Sequence, residues 1–164
     1  FIADTQVNNQ PTPEQIALSA IGAARHVRRF GLVPHVALCS HSQFGNLDTD
    51  SGKRMRAAMD ILRNREVDFN FDGEMHIDSA LDPEIRTRIF PASKLEGAAN
   101  VLVFAGTDAA SGVRNILKHK ANGLEVGPIL MGTKQPAHIV APTVTSRGLV
   151  NMAAIAAAEV VGKG

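Results

Sequence analysis

Short apolar runs alternate along this chain with segments whose apolar residues recur at helical spacing, a pattern that predicts α/β layering. Phe1-Ile2-Ala3 predicts a short strand that stops at Asp4. Pro11-Thr12-Pro13-Glu14-Gln15 predicts a helix start, with Thr12 as cap, Pro13 in the first helical position and Gln15 closing a capping box. Ile16, Ala20, Ala24 and Val27 fall on one face of that helix, and Arg25, His26, Arg28 and Arg29 crowd its last turns, where positive charge complements the helix dipole. Val36 to Cys39 predicts a buried strand, followed by the polar loop Ser40 to Asn46 and a helix from about Asp50 to Asn64 with Met55, Met59 and Leu62 facing inward. Val67 to Phe71 alternates as a strand. Pro83 to Ile89 predicts a short helix stopped by Pro91, and Asn100 to Ala105 predicts a central strand. Asp108 to Ser111 caps a helix carrying Val113, Ile116 and Leu117. Pro128 to Met131 and His138 to Ala141 predict two short strands, and an alanine-rich helix, Leu149 to Val161, closes the chain.

Composition narrows the class. A chain of 164 residues with 45% hydrophobic and 20% charged content suits one globular domain with a true core. No apolar run reaches the ~20 residues that a bilayer span needs. The net charge of +1, with both signs interspersed, argues against a nucleic-acid platform, and the absence of Trp and Tyr argues against base stacking. The lone Cys39 excludes an internal disulfide and suits a cytoplasmic setting. Phe1 in place of Met, already within strand-like sequence, points to a piece of a longer chain.

In open α/β sheets ligands sit beyond the carboxyl ends of the strands. Three polar segments fall there: Ser40 to Asn46, Gly106 to Gly112, and Thr145 to Gly148. In the last, a hydroxyl, a guanidinium and a glycine stand at a strand-to-helix junction. Taken alone, Thr145-Ser146-Arg147-Gly148 is an ordinary helix cap. Together with its two companions it outlines a cleft for an oxyanion or a phosphorylated ligand. Asp72, Glu74, His76 and Asp78 alternate at i+2, which reads as a solvated edge or an interface network rather than a metal site. Cys39 and His41 are spaced too widely on a strand for direct proton transfer, so Cys39 reads as core. His119 between Lys118 and Lys120 reads as a basic helix end.

Several motifs then line up in order. Asp72-Gly73-Glu74-Met75-His76-Ile77-Asp78-Ser79-Ala80, Gly127-Pro128-Ile129-Leu130-Met131-Gly132, Ser146-Arg147-Gly148, and Ala3-Asp4 with Pro11-Thr12-Pro13-Glu14-Gln15 resemble segments of the second half of phosphate acetyl/butyryltransferases. Ser40-His41-Ser42-Gln43-Phe44-Gly45 and Arg147-Gly148-Leu149-Val150-Asn151-Met152 resemble more specifically the transacetylase-like C-terminal region of hybrid bacterial NADP-dependent malic enzymes. The resemblance implies a three-layer α/β/α sandwich of the isocitrate/isopropylmalate dehydrogenase type with a mostly parallel sheet. It implies that residues 1–137 form the second domain of a transacetylase-like module. Residues 138–164 would then be a strand and helix that return to a first domain lying upstream. A malate-decarboxylating module in the same chain is expected to hold NADP and a divalent metal.

Transacetylases move an acetyl group between phosphate and the thiol of coenzyme A. By resemblance Ser146 donates to the tetrahedral intermediate and Arg147 holds phosphate or carbonyl oxygen, with Ser40, Ser42, Gly45, Asp108 and Gly112 lining the acetyl-CoA or phosphate site. The family's proposed base, an aspartate seven positions after the serine, is Ala153 here. A methyl group takes no proton, and a positioned base is worth about 10²–10⁴-fold in rate. The expectation is therefore no catalytic residue in this chain, acetyl-CoA bound as an allosteric ligand, and a homo-oligomer, dimer or larger, built through this region. The alternatives are an active phosphate acetyltransferase and a dimerisation domain with a vestigial pocket.

Overall fold

A computed structural model describes residues 1–121 and 124–161. Its contacts divide the chain into two compact units, Phe1–Ile116 and Leu117–Gly164.

The first unit is built on four parallel strands: β1 (Ile2–Ala3), β2 (His35–Cys39), β3 (Asn70–Met75) and β4 (Val101–Phe104), in the order β1-β4-β2-β3. Helices α1 (Pro13–Arg29) and α2 (Asp50–Asn64) make the β1-to-β2 and β2-to-β3 crossovers and pack on each other. Helices α3 (Ile77–Leu81) and α4 (Pro83–Ile89) return the chain from β3 to β4, and α5 (Thr107–Lys120) follows. Strand alternation splits the core between two faces. Ala37, Cys39, Leu102 and Phe104 join Met75, Ala80, Leu95, Ala99 and Ala110 in one cluster, against which Val113 packs. Val36, Leu38, Val101 and Val103, all fully buried, point the other way, the side of Ile16, Ala20, Met55 and Leu62. Helices cover both faces, giving the expected three layers.

Local sequence explains the helix starts. Thr12 accepts from the Gln15 N–H and Gln15 reaches back to the Thr12 N–H, completing the predicted capping box, with Pro13 at the head of α1. Thr49 caps α2 through the Gly52 N–H, and Asp82 caps α4 through Glu84 and Ile85. Ile16, Ala20, Ala24 and Val27 are buried as the spacing predicted, and so are Met55, Met59 and Leu62.

Five expectations are corrected. Val67 to Phe71 is not the strand; β3 starts at Asn70, because its ladder begins opposite His35 at the head of β2. Glu66, at φ 48°, turns the chain before it, and Asp68 is held by Arg28 through both carbonyl and carboxylate. The i+2 carboxylates do not form a solvated edge: Asp72 and Glu74 are buried, and the strand ends at Met75, so His76 and Asp78 belong to the start of α3. α5 begins at Thr107 rather than being capped by Asp108 to Ser111. In the second unit, Pro128 to Met131 and His138 to Ala141 form no strands. Among the described residues they have no ladder partner, and the Leu130 N–H goes instead to His138 Nδ1 at 3.3 Å. The closing helix, α6, starts three residues earlier than predicted and spans Ser146–Val161.

Gly73 of β3 lies close against Leu38 of β2. Its φ is 149°, and a Cβ there would lie 2.7 Å from the Leu38 carbonyl oxygen and 2.9 Å from the Leu38 Cβ. Gly73→Ala is expected to cost about 2–3 kcal/mol of unfolding free energy, combining overpacking with backbone strain. Denaturant titration checks it; a cost below ~0.5 kcal/mol, the range of a neutral surface change, would refute the close approach.

Candidate functional site

All four strands of the first unit run the same way, so their carboxyl ends share one edge. There the chain leaves β1 at Asp4, β2 at Ser40, β3 at His76 and β4 at Ala105.

The loop after β2 is held from below by β3. Glu74, 1% exposed, accepts at Oε1 from Ser42 Oγ (2.6 Å), the Gly45 N–H (2.9 Å) and Arg56 Nη1 (2.9 Å). The Glu74 carbonyl accepts from the Phe44 N–H at 2.7 Å, and the Met75 carbonyl accepts from the Ser40 N–H at 2.9 Å. Phe44 stacks on Phe90 at a centroid distance of 4.1 Å. The first turn of α2 closes the loop's other end, since a Cβ on Gly52 would come within 3.0 Å of the Ser42 Cβ. His41 and His76 stack with their rings 11° from parallel, and His76 Nε2 meets the His41 carbonyl at 2.8 Å. Asp72, under the same strand end, accepts from Ser93 Oγ and the Lys94 N–H.

The loops after β1 and β4 are joined to each other. Thr107 Oγ1 donates to Asn9 Oδ1 at 2.8 Å, and a Cβ on Gly106 would stand 2.8 Å from the Asn9 carbonyl oxygen. Asp4 anchors the β1 loop by accepting from the Gln6, Val7 and Asn8 N–H groups and from Asn8 Nδ2. Burial pushes the Asp4 carboxyl up, but these hydrogen bonds outweigh it and hold the group below its ordinary value. A carboxyl whose folded value is depressed stabilises fully above the unfolded value of about 3.9 and loses that contribution as pH falls through the folded value. Asp4→Asn is therefore expected to flatten the acid limb of stability below about pH 4. Thermal unfolding across pH 2–7 tests this, and parallel curves for the two proteins would contradict it.

Five of the seven candidate residues lie in this unit. Ser40, Ser42 and Gly45 share the loop after β2, and Asp108 and Gly112 lie on α5 after the neighbouring strand β4. Ser42 is fully buried, with its hydroxyl committed to Glu74, Asn46 and Leu47. Ser40 is half-buried and its Oγ accepts from the Ser42 N–H. Gly45 (φ 87°), Asp108 and Gly112 are exposed. Gly106 to Gly112 is mostly helix, not loop, because the chain turns into α5 one residue past Gly106. Cys39 is core, and burial pushes its thiol up to about 12, so it is no nucleophile.

Ser146 and Arg147 belong to the second unit, exposed in the first turn of α6. Thr145 caps this helix by accepting from the Gly148 N–H at 3.1 Å, and a Cβ on Gly148 would crowd Val144 Cγ2 at 3.0 Å. Ala153 lies seven residues after Ser146, about 10 Å along the axis and on nearly the same face. Leu149, Val150, Ala153 and Ala157, which continue that exposed face, carry no ionisable atom. Deeper in the unit, His138 Nε2 lies 3.8 Å from Glu159 Oε1, both side chains being buried. Among the described residues no three His, Cys, Asp or Glu side chains gather as a metal site. A hollow lined by Met59, Arg63, Val67, Phe71 and Lys94 contains none of the seven candidates.

Fold and loops define an α/β protein with a parallel sheet whose carboxyl edge is built from connected loops. The chain belongs to the phosphate acetyl/butaryl transferase family, whose model matches residues 1–157. It is 48% identical over 159 residues to the NAD-dependent malic enzyme of Rhizobium meliloti, covering 97% of this chain and 21% of that protein. It is likewise 48% identical over 160 residues to the NADP-dependent malic enzyme of Salmonella typhimurium, with the same coverage of 97% and 21%. Among solved structures, a phosphotransacetylase from Streptococcus pyogenes superposes with a TM-score of 0.92 at 27% identity, over 98% of this chain and 49% of that one. The chain thus spans about a fifth of the length of the malic enzymes it matches (21%) and about half of the phosphotransacetylase (49%).

Proposed function

We propose that this chain is the transacetylase-like region of a malic enzyme and binds acetyl-CoA as a regulatory ligand without turning it over. The observation that carries the reading is α6. Its first turn presents Ser146 and Arg147 to solvent, while the position two turns further, where the family places its base, is Ala153. Anion-binding chemistry is kept and proton transfer from a thiol is not. The malic enzymes that match 97% of this chain support a parent with a malate-oxidising module. That module would supply the dinucleotide and metal chemistry, and NAD and NADP are both named among the relatives. Malate oxidation with decarboxylation gives pyruvate, a precursor of acetyl-CoA, so acetyl-CoA is a sensible feedback ligand. It acts on the parent to the extent that it binds one conformation better than another. Exposed Leu149, Val150, Val160 and Val161 give α6 apolar surface for assembly, either onto the family's first domain or onto a second copy. The lone buried thiol, and the lack among the described residues of a helix able to cross a membrane, fit a cytoplasmic protein.

Calorimetry of the full-length parent with acetyl-CoA tests the reading. Binding is expected in the wild type and at least a tenfold loss in Arg147→Ala, about 1.4 kcal/mol; equal binding by the two sinks the assignment. The second reading, an active phosphate acetyltransferase, is favoured by the intact Ser146-Arg147-Gly148 turn. Rapid acetyl phosphate formation from acetyl-CoA and phosphate by the intact parent would establish it instead.

A further inference from the structure

Among the described residues Arg54 and Arg86 meet no carboxylate, and they differ in what they have in its place. Arg86 gives its guanidinium to four backbone carbonyls, those of Ser79, Ala80, Leu95 and Gly97. Arg54 has one acceptor among the described residues, the Ala105 carbonyl, at 3.2 Å from Nη2. Its Nε is buried and has no hydrogen-bond partner among the described residues. Asp48, the acid just ahead of α2, is engaged by Lys53 and Arg56. A guanidinium carries five N–H donors and stays charged, so an under-satisfied, half-buried one is costly unless an anion completes it.

Its position says which anion. Arg54 lies in the second turn of α2, directly after the Ser40 to Asn46 loop, and that helix start is locked against Ser42 through Gly52. Ala105, which it touches, is the residue by which β4 leaves the sheet towards Gly106 and α5. Arg54 thus ties together the two carboxyl-edge segments of neighbouring strands, the place where open α/β sheets hold ligands.

The geometry points to Arg54 as an anion-binding residue of this edge, taking a phosphoryl oxygen of the ligand. The inference rests on the acyl-carrier reading for the identity of that ligand, since coenzyme A carries several phosphates. Free phosphate offers the same oxygen. Arg54 was not among the sequence candidates, because a cation on a polar helix face looks like any solvated one.

The test uses the full-length parent with three probes: acetyl-CoA, S-acetylpantetheine (the same thioester arm without phosphates) and inorganic phosphate. Arg54→Met is expected to weaken acetyl-CoA at least about tenfold, the loss of one charge-assisted hydrogen bond, and to leave acetylpantetheine unchanged. Arg54→Lys keeps the charge and one donor to Ala105 and should fall between, which guards against a folding defect in the methionine variant. Wild-type acetyl-CoA binding by Arg54→Met, alongside a loss in Arg147→Ala, would overturn the inference and leave the acyl-carrier reading standing. If the wild type ignores acetyl-CoA yet phosphate raises its melting temperature in an Arg54-dependent way, the anion site stands and the acyl-carrier reading falls. If the wild type responds to neither acetyl-CoA nor phosphate, both fall.

Discussion

Glu74→Ala is expected to cost about 3–4 kcal/mol of stability and to free the loop after β2, because one removed carboxylate strands three donors. Ser42 Oγ, the Gly45 N–H and Arg56 Nη1 converge on its Oε1, and the first of these is fully buried. The figure sits at the low end for breaking a buried ion pair because the Arg56 side chain is 35% exposed and can rehydrate. Glu74→Gln separates charge from hydrogen bonding. It keeps an acceptor for Ser42 and Gly45 but withdraws the charge from Arg56, and about half the loss is expected. Hydrogen exchange gives a local readout, since the Gly45 amide should lose protection in Glu74→Ala before the amides of β4 do. Unchanged protection at Gly45 would show that the backbone bonds from Ser40 and Phe44 and the Phe44–Phe90 stack hold the loop without the carboxylate. If the loop lines the ligand site, the same variant loses ligand affinity in the parent although Glu74 itself, at 1% exposure, touches no ligand.

The parts of this fold legible in the sequence are those decided within a few residues. Thr12 is a hydroxyl cap ahead of helical periodicity and α1 starts where that signal places it; α2 and α4 start at Asp50 and Pro83 as the sequence predicts, with Thr49 and Asp82 as the caps the structure adds. Strands are decided by partners. Val67, Phe69 and Phe71 alternate correctly, yet pairing begins only at Asn70, opposite His35, which lies 35 residues away in the chain. Pro128 to Met131 and His138 to Ala141 have strand-like composition and nothing to pair with among the described residues.

The site divides the same way. Ser146-Arg147-Gly148, at a helix start, and the Ser40 to Gly45 loop, after a strand, stand out as short motifs. The residues that shape the carboxyl edge were missed because each acts across a long separation: Glu74 on Ser42 across 32 positions, Thr107 on Asn9 across 98, Arg54 on Ala105 across 51. A polar residue at i+2 in a strand looks solvated until its partner is known. The available clue was Gly73 between Asp72 and Glu74, a residue that marks close backbone approach and so a covered strand.

Arg86→Met is expected to destabilise by about 3–5 kcal/mol, comparable to the loss of a buried ion pair although no acid is involved. The side chain is 2% exposed, and its guanidinium is the shared donor for Ser79, Leu95 and Gly97 carbonyls at 2.9, 2.9 and 2.6 Å, with Ala80 at 3.5 Å. Methionine keeps most of the volume and removes every donor, so the penalty is that of buried acceptors left bare rather than of a cavity. These carbonyls belong to α3 and to the segment leading into β4, and Leu95 and Ala80 both lie in the core cluster between them. Losing the bridge loosens one helical layer from the sheet. The effect reaches the carboxyl edge as well, since Ser79 Oγ accepts from Gln43 Nε2 in the loop after β2. Arg86→Lys places one donor where four carbonyls wait, and it should recover less than half of the loss. Denaturant titration of the three proteins settles the matter. Full recovery by lysine would mean that charge alone, not the planar fork, holds α3 to the approach of β4.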